Sequence, residues 1–462
     1  LFLLALCLPA LLSASDFEDD LANRLNRVRR RFRLNRAIGV MVQSVQTGET
    51  IYAHNPDKKF IPASGQKLVT MASALHYLGP NYRFETHFLI DGPINNGVLE
   101  ANLFVKGSGD PSLLGKDLDQ IASAIADAGI REIEGNLILD DSFFDGNLRG
   151  PASYDNILKK GLPIQSALSY NFNIVELRAE AGEKIGGRAN LFDAGYGYFE
   201  VLNRVQTASR GRPWMNVKKL RRDRVIVYGR VVAGDEERTG GFVAPDPTQY
   251  FASAFIGKLR ERGVLFDPEL EKRPADGPEL TTLYVHRSPR LIQILELLGK
   301  HSNNFVAEQL LKALGAHRWG PPGSFESGSK ALSEYLIGLG FRRSDFSTDD
   351  GSGLSYENSL SPSILVEILK ELYGIPELRT DFLCSLSVGG VDGTLARRFR
   401  REEHMGRIMA KTGSLAGISS LSGFAFSPSR GPLVFSVMLN GIRSQWTADH
   451  VEDEIARTLL AH

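Results

Sequence analysis

Three strand-like runs, GRIMAKTGSL, SSLSGFAFS and PLVFSVMLNG, follow one another over residues 406–441 with only short connections between them. Parallel strands need a crossover of a dozen or more residues, so runs joined this closely are antiparallel neighbours in one sheet. Helical patterns surround them: RLIQILELLGKHSNNFVAEQLLKALG, broken near Gly299 to Ser302, then SKALSEYLIGLG, PSILVEILKELYG and the final VEDEIARTLLAH. An antiparallel sheet with helices on both sides is an α/β sandwich, not a parallel nucleotide-binding sheet. A hairpin near the other end, GVMVQS–VQTGE–TIYAHN over 39–55, has the alternation and turn to join that sheet.

Between these two regions the texture changes. Residues 92–275 are strand-like and rich in Gly and Asn turns, with one helical piece at DLDQIASAIADAGI. A chain of 462 residues exceeds one ordinary core. The expected organisation is a catalytic domain from 16–91 and 276–462, split by β-rich material at 92–275 that forms two nested modules. The basic spots there, Lys218 with Lys219 and Arg221 with Arg222, read as solvated faces.

Charge gives no case for a nucleic-acid partner, because 54 Lys and Arg balance 54 Asp and Glu. The first residues, LFLLALCLPALLSAS, are apolar up to Leu12 and then small. That pattern fits a signal peptide cleaved near residue 15, with a short buried helix as the alternative. Residues 16–36 form an amphipathic helix whose arginines read as a solvated face, contact with anionic polymers being the alternative. Cleavage would leave Cys384 as the lone cysteine and exclude an intrachain disulfide. Its apolar setting, DFLCSLSV, predicts a buried, inert thiol.

Three short motifs carry the chemistry: Ser64-Gly65-Gln66-Lys67, Ser302-Asn303-Asn304 and Lys411-Thr412-Gly413. Pro62 and Ser64 open a helix that Gly79 and Pro80 close. Spacing of three puts Ser64 and Lys67 on one face of it. A serine hydroxyl is a weak nucleophile until a base takes its proton. Lysine serves only if burial and a nearby cation lower its usual pKa of about 10.4, and Lys411 is the candidate cation. Ser302, at a helix break, is placed to pass a proton to a leaving amine or to cap the helix behind it. Asn304 offers a carboxamide to Lys67 or to a substrate amide. Lys411, Thr412 and Ser414 on a strand edge suit an extended peptide ending in a carboxylate. Gly413 leaves room for close approach, and the Ser64 and Ser414 N–H groups are candidates for an oxyanion hole.

Together the motifs match the signature of serine β-lactamases and penicillin-binding proteins. The sequence resembles the S13 family of D-alanyl-D-alanine carboxypeptidases and endopeptidases, the class C low-molecular-mass penicillin-binding proteins. The resemblance extends to GSGDPSL at 107–113, LILDDSFF at 137–144, ALSYNFN at 167–173, KHSNNFVAEQL at 300–310, DGSGLS at 350–355, GGVDGTLARR at 389–398 and KTGSLAGISSLSGF at 411–424. It implies a transpeptidase-like fold with nested insertions and a periplasmic role on peptidoglycan peptide stems. It also implies acylation of Ser64 by β-lactam antibiotics, and no metal or organic cofactor.

Two positions depart from the better-known pattern: Tyr356 stands where relatives carry Arg, and Ala416 where they carry Gln. The resemblance links both to reading the diamino acid of the stem, and it makes Asp140 an acidic contact to that side chain's amine, a turn residue capping the DDSFFDG stretch being the alternative. A β-lactamase or esterase using the same Ser and Lys, or a non-catalytic peptidoglycan-binding scaffold, are the competing readings. The first needs a water-activating group not identified in the sequence, and the second predicts degraded motifs.

Overall fold

The computed structural model describes residues 14–32, 34, 36–151, 164–193, 195–221 and 224–460. The expected leader lies outside them up to residue 13. A helix, Ala14–Arg31, takes in residues 14 and 15, where cleavage is expected.

The chain divides into two units. One holds the chain up to Ser73, then Leu295–Ser302 and everything from Leu332; the other holds Ala74–Ile294 and Asn303–Ala331.

The first unit is built on a six-stranded sheet. In spatial order its strands are Ser387–Val388, Ile408–Leu415, Ile418–Ser427, Gly431–Asn440, Ile38–Ser44 and Thr50–His54. Every pairing is antiparallel, and the early hairpin joins through Val40 opposite Val437. Nearly every residue of Ile418–Ser427 is buried, on both faces of the sheet. One face carries Leu421, Phe435 and Val437 against Leu25 and Val28 of the first helix and Val451, Ile455 and Leu459 of helix Gln445–Leu460. Helix Pro362–Gly374 packs on the same central strands with Ile364, Leu365 and Ile368 fully buried. Helices on a sheet whose central strands are buried on both faces give the α/β sandwich expected from the sequence.

Among its described residues the second unit has two main cores and a small cluster of Phe104, Ile138 and Ala275. The larger joins a five-stranded sheet to helices Gly115–Asp127 and Pro247–Glu261. The smaller fills the space between two three-stranded sheets from residues 174–243 with Leu177, Val205, Val227 and Val231.

Three expectations change. Strands Glu85–Ile90 and Thr281–Arg287 pair with each other inside the second unit's sheet, so its edges lie outside the 92–275 read from texture. Helix Pro247–Glu261 was not anticipated in β-rich material, although Asp246 caps it through Gln249 N and Pro247 opens it. Cys384 is exposed, not buried. Leu378 and Phe382 turn inward one helical turn apart, and Cys384, two residues further on, faces away.

Candidate active site

Ser64 sits in the tight turn Ala63–Gly65, which runs directly into helix Gln66–Leu78. The turn is closed by Gly65 N donating to Pro62 O at 3.0 Å. Ala63 has φ +47°, a left-handed conformation that costs a non-glycine residue about 1–3 kcal/mol. One helical turn on, Lys67 has no exposed surface. Its Nζ is 2.9 Å from Ser64 Oγ and 2.6 Å from the carbonyl oxygen of Ser352.

The loop that supplies this carbonyl is a rigid construction around Asp350. The carboxylate accepts from Gly353 N, Ser355 N and Asn358 Nδ2, each at 2.7 Å. Thr70 Oγ1, on the same helix as Lys67, donates to Gly351 O at 2.7 Å. A Cβ on Gly353 would lie 1.8 Å from Ala63 O, so glycine is the residue that lets this loop seat against the serine turn.

Lys411 comes from strand Ile408–Leu415 and also has no exposed surface. Its Nζ is 2.9 Å from Ser302 Oγ and 2.7 Å from Thr412 O. Burial, and after it the Lys67 ammonium, push Lys411 well below the ordinary lysine range. Gly413 brings this strand against the serine turn. A Cβ there would lie 2.4 Å from Ser420 Oγ and 2.8 Å from both Gly65 N and Pro62 O. Ser420, opposite Gly413 in the sheet, donates to Pro62 O at 2.7 Å.

Ser302 ends the segment after helix Leu291–Gly299 and has φ +53°. Residues of GGVDGTLARR hold that segment in place. Thr394 N donates to Lys300 O at 3.1 Å, and Lys300 Nζ is ion-paired with Asp392. Thr412 Oγ1 donates to Thr394 Oγ1 at 2.8 Å, tying the same loop to the Lys411 strand. The helix cap considered for Ser302 belongs to Asn303, whose Oδ1 accepts from Val306 N at 3.2 Å. Asn304 is the first residue of that helix, in the second unit, because the division falls between Ser302 and Asn303.

Behind strand Ile408–Leu415 lies a buried charge that the sequence reading passed over. Ser419, opposite Ser414, donates to Glu452 Oε1 at 2.6 Å, and Arg398 donates to Glu452 Oε2 at 3.0 Å. Gln445 Nε2 reaches both Ser414 Oγ at 3.1 Å and Ser419 Oγ at 3.2 Å. Burial raises the Glu452 carboxyl to about 7 against the opposing charge of Arg398.

Three candidates remain, Tyr356, Ala416 and Asp140. Tyr356 is 46% exposed. Ala416 is exposed and lines a cavity of about 310 Å³ with Leu415 and Arg443. Asp140 belongs to the second unit and is 1% exposed. Its Oδ1 accepts from Ser142 N at 3.0 Å and Ser142 Oγ at 2.5 Å, and its Oδ2 from Ala275 N at 3.0 Å, with Lys106 Nζ 3.7 Å away. These are the bonds of a turn residue.

Ser64, Lys67, Ser302 and Lys411 thus form two serine–lysine contacts joined through one strand. Such a site can activate a hydroxyl with one amine while a second hydroxyl and amine stand ready to move a proton. Among the described residues there is no His, Cys, Asp and Glu group suited to a metal ion, and no helix is long and apolar enough to cross a membrane.

The profile of the D-Ala-D-Ala carboxypeptidase 3 (S13) family matches residues 21–461. The chain is 31% identical over 428 residues to a D-alanyl-D-alanine carboxypeptidase of Actinomadura sp. strain R39, covering 87% of this chain and 77% of that one. It is 28% identical over 414 residues to the D-alanyl-D-alanine carboxypeptidase DacB of Haemophilus influenzae, covering 87% and 85%. The crystal structure of penicillin binding protein 4 from Haemophilus influenzae superposes with a TM-score of 0.76 at 25% identity, over 94% of this chain and 98% of that one.

Proposed function

The chain belongs to the D-Ala-D-Ala carboxypeptidase 3 (S13) family, and from that premise we propose that it is an exported serine DD-peptidase acting on D-alanyl bonds of peptidoglycan peptide stems in the periplasm. The observation that carries this reading is the pair of contacts Lys67 Nζ–Ser64 Oγ and Lys411 Nζ–Ser302 Oγ, both 2.9 Å, made by two lysines without exposed surface.

Ser64 Oγ attacks the carbonyl carbon of the D-alanyl bond while Lys67, acting as the base, takes its proton. The N–H groups of Ser64 and Ser414 receive the charge that develops on the carbonyl oxygen. The C–N bond breaks as Ser302 passes a proton to the leaving amine, which departs as D-alanine or as the amine of a cross-link. Water then attacks the acyl-enzyme and frees Ser64. Lys411 and Thr412 receive the terminal carboxylate, and Gly413 admits the peptide beside the strand.

A β-lactam enters the same first step. Its amide nitrogen stays tethered after ring opening, so Ser64 remains acylated. Tyr356 and Ala416 contribute to selection among stems: neither offers the fixed fork of donors that Arg gives a carboxylate, so selection for a diamino acid's carboxylate is loose.

Intact-mass analysis after treatment with benzylpenicillin tests the reading. One added penicilloyl mass is expected on the wild type and none on Ser64→Ala. An adduct that survives in Ser64→Ala, or no release of D-alanine from a D-alanyl-D-alanine peptide by the wild type, would overturn it.

A further inference from the structure

In a chain of balanced charge, residues 200–232 carry nine basic and two acidic side chains. They build the sheet of strands Glu200–Ala208, Arg224–Val232 and Trp214–Arg221. Side chains alternate across a strand, so register decides which residues share a face. The inner face carries Val205, Val227, Val231, Met215 and Val217 into the smaller core. The outer face is therefore fixed as ranks across the three strands. Trp214 lies opposite Arg230, which lies opposite Gln206; next come Asn216, Tyr228 and Arg204. Lys218 follows, one step further along.

Trp214 is 45% exposed, and its ring meets Tyr228 edge-on at 5.8 Å. Arg204, Lys218 and Arg230 are exposed and make no ion pair among the described residues, while Arg224 alone on this face is neutralised, by Glu200 at 2.5 Å. The sheet thus presents two aromatic rings among unpaired cations and two exposed amides, all within the second unit.

We propose that this face is a binding surface for an anionic glycan, committing to the glycan strand of peptidoglycan, and this choice of glycan rests on the proposed function. The C–H faces of sugar rings pack on the electron-rich faces of Trp214 and Tyr228. Arg204, Arg230 and Lys218 meet the lactyl carboxylates of muramic acid units, which are free where the stem peptide has been removed, and Asn216 and Gln206 bond the strand's hydroxyls. A lipid surface fits less well. Membrane-bound faces project many large aliphatic side chains, whereas here Leu202 and Ile226 are half-buried among polar neighbours and Leu220, next to the end of strand Trp214–Arg221, stands exposed among cations.

The test is co-sedimentation of the full chain, carrying Ser64→Ala so that the material is not consumed, with insoluble peptidoglycan stripped of attached polymers. Affinity should fall roughly tenfold, about 1.4 kcal/mol, on Trp214→Ala and on the pair Arg204→Gln and Arg230→Gln. It should weaken as salt is raised. Soluble glycan strands freed of peptide by an amidase should compete. Circular dichroism and thermal melts of the variants should match the parent, since all three side chains lie on the outer face; a variant that melts early is replaced by Lys218→Gln, which must show the same loss. Competition by free stem peptides alone, equal binding to phosphatidylglycerol vesicles or duplex DNA, or unchanged binding in the variants would overturn the proposal. In a Ser64 background, release of D-alanine from a soluble peptide should be the same with and without the face substitutions. A failure of the proposed function would instead appear as no release in any form, with glycan binding retained.

Discussion

Lys411 Nζ lies 2.9 Å from Ser302 Oγ in a position with no exposed surface, and the charge that acts on it is that of another buried amine, Lys67. An interior of low dielectric holds one ammonium at a cost and two at a greater one. The arrangement therefore loosens the proton on Lys411 relative to an ordinary lysine.

Lys67→Ala should retain the fold and lower the rate of acylation by benzylpenicillin by roughly 10² to 10⁴, the usual worth of a positioned base. Stopped-flow acylation measures it, and a rate near that of the wild type would remove Lys67 from the mechanism. Ser302→Ala added to Lys67→Ala should cost less than the two single losses combined, because members of one proton path act as a unit.

Lys411 gives a stability test with a definite sign. Its folded pKa lies well below the unfolded value of about 10.4. Between the two values the unfolded chain binds the extra proton, so stability rises with pH through that window and is held down at neutral pH. The stability of Lys411→Met relative to the wild type should therefore be greatest near pH 7 and decline toward pH 10, by no more than about 1.4 kcal/mol per pH unit. Urea unfolding across that range reads the slope, and a difference independent of pH would contradict it.

Glu452 runs the other way. Its carboxyl titrates at about 7 in the fold, against an ordinary value of 4.5. Between these the folded state binds the extra proton, so stability contributed by this group falls as pH rises through the window and levels off above it. Glu452→Gln should gain on the wild type from about pH 4.5 to about pH 7, and no further. Thermal melts at matched pH values show whether the gain exists and where it stops.

Gly413→Ala should destabilise the protein by roughly 1–3 kcal/mol through overpacking against the serine turn, and should suppress acylation with it. The added methyl meets backbone atoms at 2.8 Å, which cannot swing aside as a side chain end would. Wild-type acylation in this variant would mean that the strand and the turn are less tightly seated than the geometry implies.

Asp140→Ala should lower stability by about 1–3 kcal/mol, since the buried Ala275 N–H loses its acceptor and the turn through Ser142 loses its tie. The ratio of kcat/KM between stem peptides carrying lysine and N-acetyl-lysine should not change. A selective loss on the free amine would restore Asp140 as a substrate contact.

Much of this was readable in advance because it follows from short-range pattern. Residues 408–440 alternate and turn tightly enough to fix an antiparallel sheet, and the spacing of Ser64 and Lys67 fixes their meeting on one turn of helix. What escaped depends on contacts between distant segments. Nothing local marks Asp350 as the residue that shapes the loop holding Lys67, although the density of Gly and Ser in DGSGLS signals a demanding backbone. Glu452 looks like any charge on an amphipathic helix until Ser419 and Arg398 close over it. The edges of the second unit escaped for a similar reason: strands at 85–90 and 281–287 differ from their neighbours only in whom they pair with. Cys384 and the helix at Pro247 were legible, by helical phase and by the Asp-Pro start, but local apolar and β-rich texture outweighed those signals.

The sheet of the first unit pairs Val40 with Val437, so its centre joins strands from opposite ends of the chain. During synthesis the early hairpin must wait, without its partner strand, until the chain has been made through Asn440. The second unit has all its residues once Ala331 has emerged and can settle first. The nucleophile is thus translated well before the strand that completes its site, and reactivity at Ser64 arises only after Lys411 and its strand have been delivered.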